Sequence, residues 1–408
     1  MKCRHCQAVL TLSLIDLGTA PPSNAYLNQQ TLHTPEKYFP LRVLVCTECW
    51  LVQTEDYAGA DELFSADYAY FSSFSTTWLK HAERYVEDMS QRFALKADSH
   101  IVEVAANDGY LLQYAKARGI SCLGIEPTTS TANAARAKGI EIVEAFFGVK
   151  LAQQLATQGR QADLTAANNV LAHVPDINDF VGGFATLLKP AGVATFEFPH
   201  LLRLVTENQF DTIYHEHYSY LSLIAVKRIF EHNGLGVFDV EELPTHGGSL
   251  RVYAQRKDTG VREPSQRVAK LLENEIAAGI NNTAFYAGFQ VKANKVKNDL
   301  LMFLIEAQRD GKTVAGYGAA AKGNTLLNYA GVRPDLLPYV VDRNPAKQDK
   351  FLPGCRILIV AEAQLKRTRP NYVVILPWNL RTEVVEQLAY IREWGGQFVT
   401  AVPLLKVS

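Results

Sequence analysis

Hydrophobic and polar positions change period several times along this chain. Between Thr76 and Leu95, the residues Trp78, Leu79, Tyr85, Val86 and Met89 recur at helical spacing and predict an amphipathic helix. His100-Ile-Val-Glu-Val104 is a compact apolar run that predicts a buried strand, and Tyr110 to Arg118 reads as the helix after it. The alternation repeats as a strand at Cys122–Ile125 and a helix at Ser130–Lys138. It continues as strands at Asp163–Ala167 and Val193–Phe198, with helix Phe180–Leu188 between them. Such alternation predicts a doubly wound α/β sheet. Val237–Leu243 and Ser249–Gln255, joined by a Pro-Thr-His-Gly-Gly turn, are expected to pair antiparallel at the sheet edge. Arg262 to Gln308 reads as largely helical, with a bend near Gly279 or Gly288. After Gly311 the α/β pattern restarts, with strands at Thr313–Tyr317, Leu337–Asp342, Tyr372–Leu376 and Gln397–Val402.

The first 75 or so residues differ. They are rich in aromatic side chains (Tyr26, Tyr38, Phe39, Trp50, Tyr57, Phe64, Tyr68, Tyr70) and have no long helical period. They contain two C-x-x-C pairs, Cys3/Cys6 and Cys46/Cys49, while Cys122 and Cys355 stand alone. Two such pairs place four thiolates around one tetrahedral Zn²⁺, each pair on a tight turn. Four protein ligands leave no open position, so this metal is expected to hold the fold. A redox role for one pair gives no place to the second, and His5 is expected to be a bystander. The expected organisation is a small zinc-binding module over 1–75, an α/β domain over 76–257, and a helical segment with a second Rossmann-like domain over 258–408.

Charge and composition narrow the function. The 408 residues carry 41 basic and 42 acidic side chains, a net charge of −1. A nucleic-acid binder needs a basic face, so none is expected here. No apolar run reaches the roughly 18 residues of a membrane span, and Met1-Lys-Cys-Arg-His-Cys6 does not resemble a secretory signal. The expectation is a cytoplasmic monomer acting on a small molecule, with neither a membrane nor a nucleic acid as partner.

Glu103-Val-Ala-Ala-Asn-Asp-Gly109 closes the first strand of the middle domain and opens a helix. Such a turn presents backbone N–H groups, and glycine permits close approach of a ligand. Glu126 ends the second strand, where a carboxylate can accept both ribose hydroxyls of an adenosine. This layout suits a dinucleotide or S-adenosylmethionine. With Gly109 alone in the loop and Asn107 and Asp108 supplying polar side chains, a ligand without a pyrophosphate is favoured. Asn168 follows the next strand, either at the cofactor or as simple turn chemistry.

Tyr214-His-Glu-His-Tyr-Ser-Tyr220 is the most reactive-looking segment. A zincin helix would need histidine at position 219, which is serine, so a metalloprotease is excluded. His215 and His217 lack an obvious third ligand for a metal. Proton transfer remains, with His173 close behind in the motif Asn169-Val-Leu-Ala-His-Val-Pro175.

Taken with His246-Gly-Gly-Ser-Leu-Arg251 and Gly316-Tyr-Gly-Ala-Ala-Ala-Lys-Gly-Asn324, these motifs give the whole chain a resemblance. It resembles the sugar C-methyltransferases that act on nucleotide-linked 4-keto-deoxysugars. The resemblance implies a zinc domain, a class I methyltransferase domain and a C-terminal Rossmann-like domain. It also implies S-adenosylmethionine and structural Zn²⁺ as cofactors, and an NDP-4-keto-deoxysugar methylated at C3 through an enolate. It assigns His217 as general base and Glu216 as the residue that orients it. Tyr68, His173 and Tyr214 match the family's other active-site positions, with Tyr70 an alternative to Tyr68. Lys322 becomes a phosphate contact in a worn nucleotide-binding fold with no NAD, and His246 and Arg251 border the sugar or else stabilise the hairpin. Competing readings are methylation at C5, at oxygen or at nitrogen, and an inactive zinc-containing binding protein.

Overall fold

The computed structural model describes residues 1–57 and 71–408. It is built on three sheets. The chain begins with β1 (Leu12–Ala20), β2 (Phe39–Val45) and β3 (Val52–Thr54), paired antiparallel in that order. Alternation along β2 points Val43 and Val45 to one face and Leu44 to the other. Leu44 joins Cys3, Cys46 and Leu51 in a core shared with Phe180, Phe184 and Phe196 of the middle domain. Val43 and Val45 join a different core, with Val296, Leu300, Leu326 and Val340. The small sheet is therefore the filling between two larger units, and not an appendage.

Helix Thr76–Arg92 follows, capped by Ser75, whose side chain accepts the Trp78 N–H. The middle domain then supplies β4 (His100–Val104), β5 (Ser121–Ile125), β6 (Glu141–Val143), β7 (Ala162–Asn168) and β8 (Leu188–Pro199). Next comes β9 (Ser219–Tyr220), which leaves this domain and completes the first sheet by pairing with β3, Val52 opposite Tyr220. The hairpin β10 (Leu235–Leu243) and β11 (Ser249–Arg256) returns to the middle sheet at its edge, antiparallel as expected. The strand order is β10-β11-β8-β7-β4-β5-β6.

Helices Gln266–Ala278 and Phe289–Arg309 lead to the last domain. The chain turns at both candidate glycines where one bend was expected, since Gly279 and Gly288 each take left-handed conformations at φ 92° and 80°. The last sheet holds β12 (Val314–Tyr317), β13 (Tyr339–Val341), β14 (Leu358–Val360), β15 (Tyr372–Ile375), β16 (Gln397–Thr400) and β17 (Lys406–Val407). Its order is β14-β13-β12-β15-β16-β17, parallel except for β17. The fold class is the one expected: a zinc module and two Rossmann-like α/β units. Among the described residues no helix is long and apolar enough to cross a membrane.

Candidate active site

The four cysteines Cys3, Cys6, Cys46 and Cys49 bring their sulfurs within 4.8 Å of one another. A tetrahedral zinc with Zn–S bonds of about 2.3 Å fits that spacing. The two turns are built alike. The N–H of Cys3 donates to Ala8 and that of Gln7 back to Cys3; Cys46, Leu51 and Trp50 repeat the pattern. Gln7 and Trp50, each just after the second cysteine, both take positive φ, 64° and 62°. His5 turns away to Asn178, with 2.8 Å between Nδ1 and Oδ1, and is the expected bystander.

β4 and β7 are neighbours whose chain connections run in opposite directions, so the crevice at their C-terminal ends is a switch point where ligands bind in open α/β sheets. Strained backbone gathers there: Ala105, Asn107 and Gly109 lie at φ 60°, 49° and 75°. Glu103 and Asn168, at the ends of these two strands, are buried, and apart from the Tyr110 hydroxyl beside them their side-chain polar atoms meet no partner among the described residues. Burial pushes the Glu103 carboxyl well above the usual carboxylate range; the Tyr110 hydroxyl acts against this, and Asp108 and Glu126 add to it. Unmet polar atoms in such a crevice suit a polar cofactor. Glu126 accepts the N–H groups of Asn107 at 2.9 Å and Thr128 at 3.0 Å, which fixes its carboxylate and leaves lone pairs for ribose hydroxyls.

The residues of this loop also have work within the protein. The Asn107 side chain accepts the Ser72 N–H at 2.9 Å, and Asp108 accepts that of Ser73 at 3.3 Å. These oxygens fasten the turn before the first helix, while Asp108 Oδ1 stays buried without a partner among the described residues, as Glu103 and Asn168 do. A Cβ on Gly109 would lie 2.4 Å from Ile140 Cδ1 and 3.2 Å from Ala135 Cβ. This glycine answers to its positive φ and to protein packing.

The Tyr214–Tyr220 segment is stitched on both sides. Tyr218 N–H donates to Ala172 at 2.8 Å, and Thr54 donates to both Tyr218 O and His217 O. Arg4, paired with Asp56, adds a bond to Tyr218 O at 3.2 Å. This stitching brings His217 and His173 into an edge-on contact with ring centroids 4.6 Å apart, and lays Tyr214 against His217 at 3.9 Å. His217 Nδ1 lies 2.9 Å from the Thr212 carbonyl oxygen. A carbonyl only accepts, so Nδ1 carries the proton and Nε2 keeps its lone pair. Burial, reinforced by His173, holds the imidazole well below its ordinary pKa, hence neutral. Burial likewise brings His173 down to about 4.

Glu216 does not orient His217. It is buried and accepts from Asn24 Nδ2 at 3.1 Å, and burial pushes its carboxyl up to about 7. Consecutive residues of a tight turn diverge, and a backbone carbonyl has taken the orienting role. His215 points to the Phe39 carbonyl at 3.3 Å, so it cannot share a metal with His217. Tyr68 and Tyr70 lie outside the described residues.

Three C-terminal expectations divide. Lys322 comes to the same cleft: it donates to Asn379 at 2.7 Å, and its charge acts on His217, His246 and Asp211. His246, at φ 56°, lies 3.1 Å from Asn169 Nδ2, itself on a residue at φ 54°. Arg251 is not at the sugar. Its guanidinium is buried against Glu197 at 3.1 Å and Glu241 at 3.5 Å, over the ring of Tyr85. Glu197 is fully buried and also accepts from His81 and Thr245. The dinucleotide-like loop is closed as well, since a Cβ on Gly318 would lie 2.5 Å from Pro377, and both Asp342 oxygens hold backbone N–H groups. Sequence reasoning missed Thr212, Asp211 and Trp378, which carry no motif of their own; for Thr212 and Asp211 the signal was their nearness to Tyr214–His217, and Trp378, 167 positions from Asp211, had none.

Three family models match this chain: "C-methyltransferase C-terminal domain" over residues 244–403, "Putative zinc binding domain" over 3–64 and "Methyltransferase domain" over 78–240. The C-methyltransferase NovU of Streptomyces niveus is 33% identical over 402 residues, covering 98% of this chain and 95% of its own. Among solved structures, the magnesium protoporphyrin IX methyltransferase of Synechocystis PCC 6803 is 16% identical with a TM-score of 0.35, covering 44% of this chain and 83% of its own. An S-adenosylmethionine dependent methyltransferase from Mesorhizobium loti is 15% identical with a TM-score of 0.34, covering 44% and 100%. These two partial likenesses carry no argument here.

Proposed function

This chain belongs to the C-methyltransferase family, and we propose that it methylates C3 of a nucleotide-linked 4-keto-deoxyhexose through an enolate. It is an S-adenosylmethionine-dependent methyltransferase with a structural zinc module. The observation that carries the proposal is the tautomer of His217, whose Nδ1–H is committed to Thr212 and whose Nε2 is a buried, neutral base.

Bound S-adenosylmethionine supplies a methyl group on a sulfonium, an electrophile that needs no further activation. Glu126 would hold its ribose, and Glu103 and Asn168 offer the unmet polar atoms of the same crevice. What the chain must add is a carbon nucleophile. A C–H beside a ketone is acidic enough for His217 Nε2 to remove the proton when the oxygen is stabilised. Tyr214 and His173, packed on the imidazole, fix its ring plane and frame the sugar.

The test is direct. With the ketosugar in D₂O, the wild-type protein should exchange the C3 proton without methyl transfer. His217→Asn keeps an amide N–H for Thr212 and removes the base, so exchange and methylation should fall by roughly 10²–10⁴-fold while S-adenosylmethionine binding persists. Turnover retained in His217→Asn would refute the reading, as would equal methylation of a sugar without the ketone.

A further inference from the structure

Trp378, on the turn after β15, is where the two halves of the cleft meet. Its Nε1–H donates to Asp211 Oδ2 at 2.8 Å. Its ring sits so close to the β10–β11 hairpin that a Cβ on Gly247 would lie 2.5 Å from Cη2. Lys322 Nζ rests 4.8 Å from the ring centroid. Asp211 directly precedes Thr212, the residue whose carbonyl orients His217. One indole therefore connects the general base, the His246 hairpin and a lysine from the other domain.

The lysine is unusual in its pairing. Its ammonium donates to a neutral amide oxygen, Asn379 Oδ1, and no carboxylate lies within ion-pair distance among the described residues. Asp211 is fully buried and its Oδ1 has no partner among the described residues, so it faces Lys322 only at longer range. An ammonium has three donors, so this one is built to meet a further acceptor. The groups around His217 include two other imidazoles, His173 and His246, which burial holds down to about 4 and so keeps neutral. Lys322 is thus the cation whose charge reaches both His217 and His246.

A fixed cation beside a base opposes the base's protonation. That opposition is overcome only if the anion made in the same step gains more from the cation than the imidazolium loses. We propose that Lys322 is a catalytic residue that receives the substrate's keto oxygen as it becomes an enolate. In that step the C3–H electron pair becomes the C3–C4 π bond, the carbonyl π pair moves onto the oxygen beside Nζ, and the proton goes to His217 Nε2. Asp211, Trp378 and Asn379 are positioning residues that hold the ammonium in place. The inference rests on the enolate reading above and gives it its missing electrophile, supplied by the C-terminal domain. A phosphate contact, the alternative use of the same charge, would instead act on binding alone.

The experiment compares wild type, Lys322→Met and Lys322→Arg with the ketosugar in D₂O. Circular dichroism and S-adenosylmethionine binding serve as folding controls. Loss of one donor to a developing oxyanion costs about 10²–10³-fold. Lys322→Met should therefore lower C3 exchange and kcat by that factor, with KM and the affinity for free nucleoside diphosphate unchanged, and Lys322→Arg should recover part of the rate. If KM and nucleoside diphosphate affinity change while exchange and kcat hold, the lysine is a phosphate contact and the inference is overturned. If wild type itself exchanges no ring proton, the enolate reading and this inference fall together. If wild type exchanges and Lys322→Met exchanges equally well, the inference alone falls.

Discussion

Gly109→Ala separates two reasons for a glycine in a cofactor loop. A residue other than glycine at φ 75° loses about 1–2 kcal/mol to the left-handed conformation. The new Cβ also meets Ile140 Cδ1 at 2.4 Å, Ala135 Cβ at 3.2 Å and Ala135 Cα at 3.4 Å. The isoleucine tip can swing aside, but the helix carrying Ala135 cannot retreat alone, so overpacking adds about 1–3 kcal/mol. Gly119→Ala is the control: it has nearly the same φ, 72°, with nothing within 4 Å of its Cβ, so it bears the conformational cost alone. Urea unfolding should place Gly109→Ala below Gly119→Ala by about 1–3 kcal/mol. Isothermal titration with S-adenosylmethionine, below both transitions, should give wild-type affinity for each. Equal destabilisation would refute the packing argument. A Gly109→Ala protein as stable as Gly119→Ala but unable to bind the cofactor would restore the glycine to the ligand.

Two further outcomes test the buried charges. Burial pushes the Asp211 carboxyl up to about 6, against the pull of Lys322 and the Trp378 hydrogen bond. Between about pH 4 and 6 the folded chain keeps a proton there that the unfolded chain has released, so this group's contribution to stability falls as pH rises through that window, by roughly 3 kcal/mol in full. Asp211→Asn should flatten the pH dependence of the urea midpoint across that range; an unchanged slope would contradict it. Arg251→Met strands the fully buried Glu197 carboxylate and should destabilise the protein by about 3–5 kcal/mol, most of it regained by adding Glu197→Gln. Where the variant is folded, KM for the ketosugar should hold; a raised KM with intact stability would return Arg251 to the substrate.

The elements most legible in the sequence were those with strong periods. His100–Val104 is the strand expected, the β10–β11 hairpin lies at the sheet edge, and the helical stretch breaks at the two glycines between which the bend was expected. Weak patterns were lost. β6 and β14 are three residues each, and helix Val149–Thr157 buries only Ala152 and Leu155, too little apolar surface to announce a period. In the small N-terminal sheet, β2 packs on both faces around an exposed Arg42, so its residues show no clean alternation. The site shows the same division. Histidine and cysteine clusters are visible as letters, whereas the orienter of His217 is a main-chain oxygen, which any residue type could supply. Glu216 was misread as the orienter, and of the two roles open to Arg251 the hairpin one fits its pairing with Glu241, because charge in a motif does not reveal its partner; Glu197 and Asn24 lie 54 and 192 positions away.

The two-residue strand Ser219–Tyr220 has a bearing on how this enzyme can be re-engineered. Because it knits the loop bearing His217 into a sheet whose other strands come from the chain's beginning, no single cut separates the metal module from that loop. A chimera that imports another homologue's middle region would have to import residues 1–57 with it, or refit the seam at Val52 and Gln53. Modularity in the linear order of this chain is therefore not modularity in its working parts.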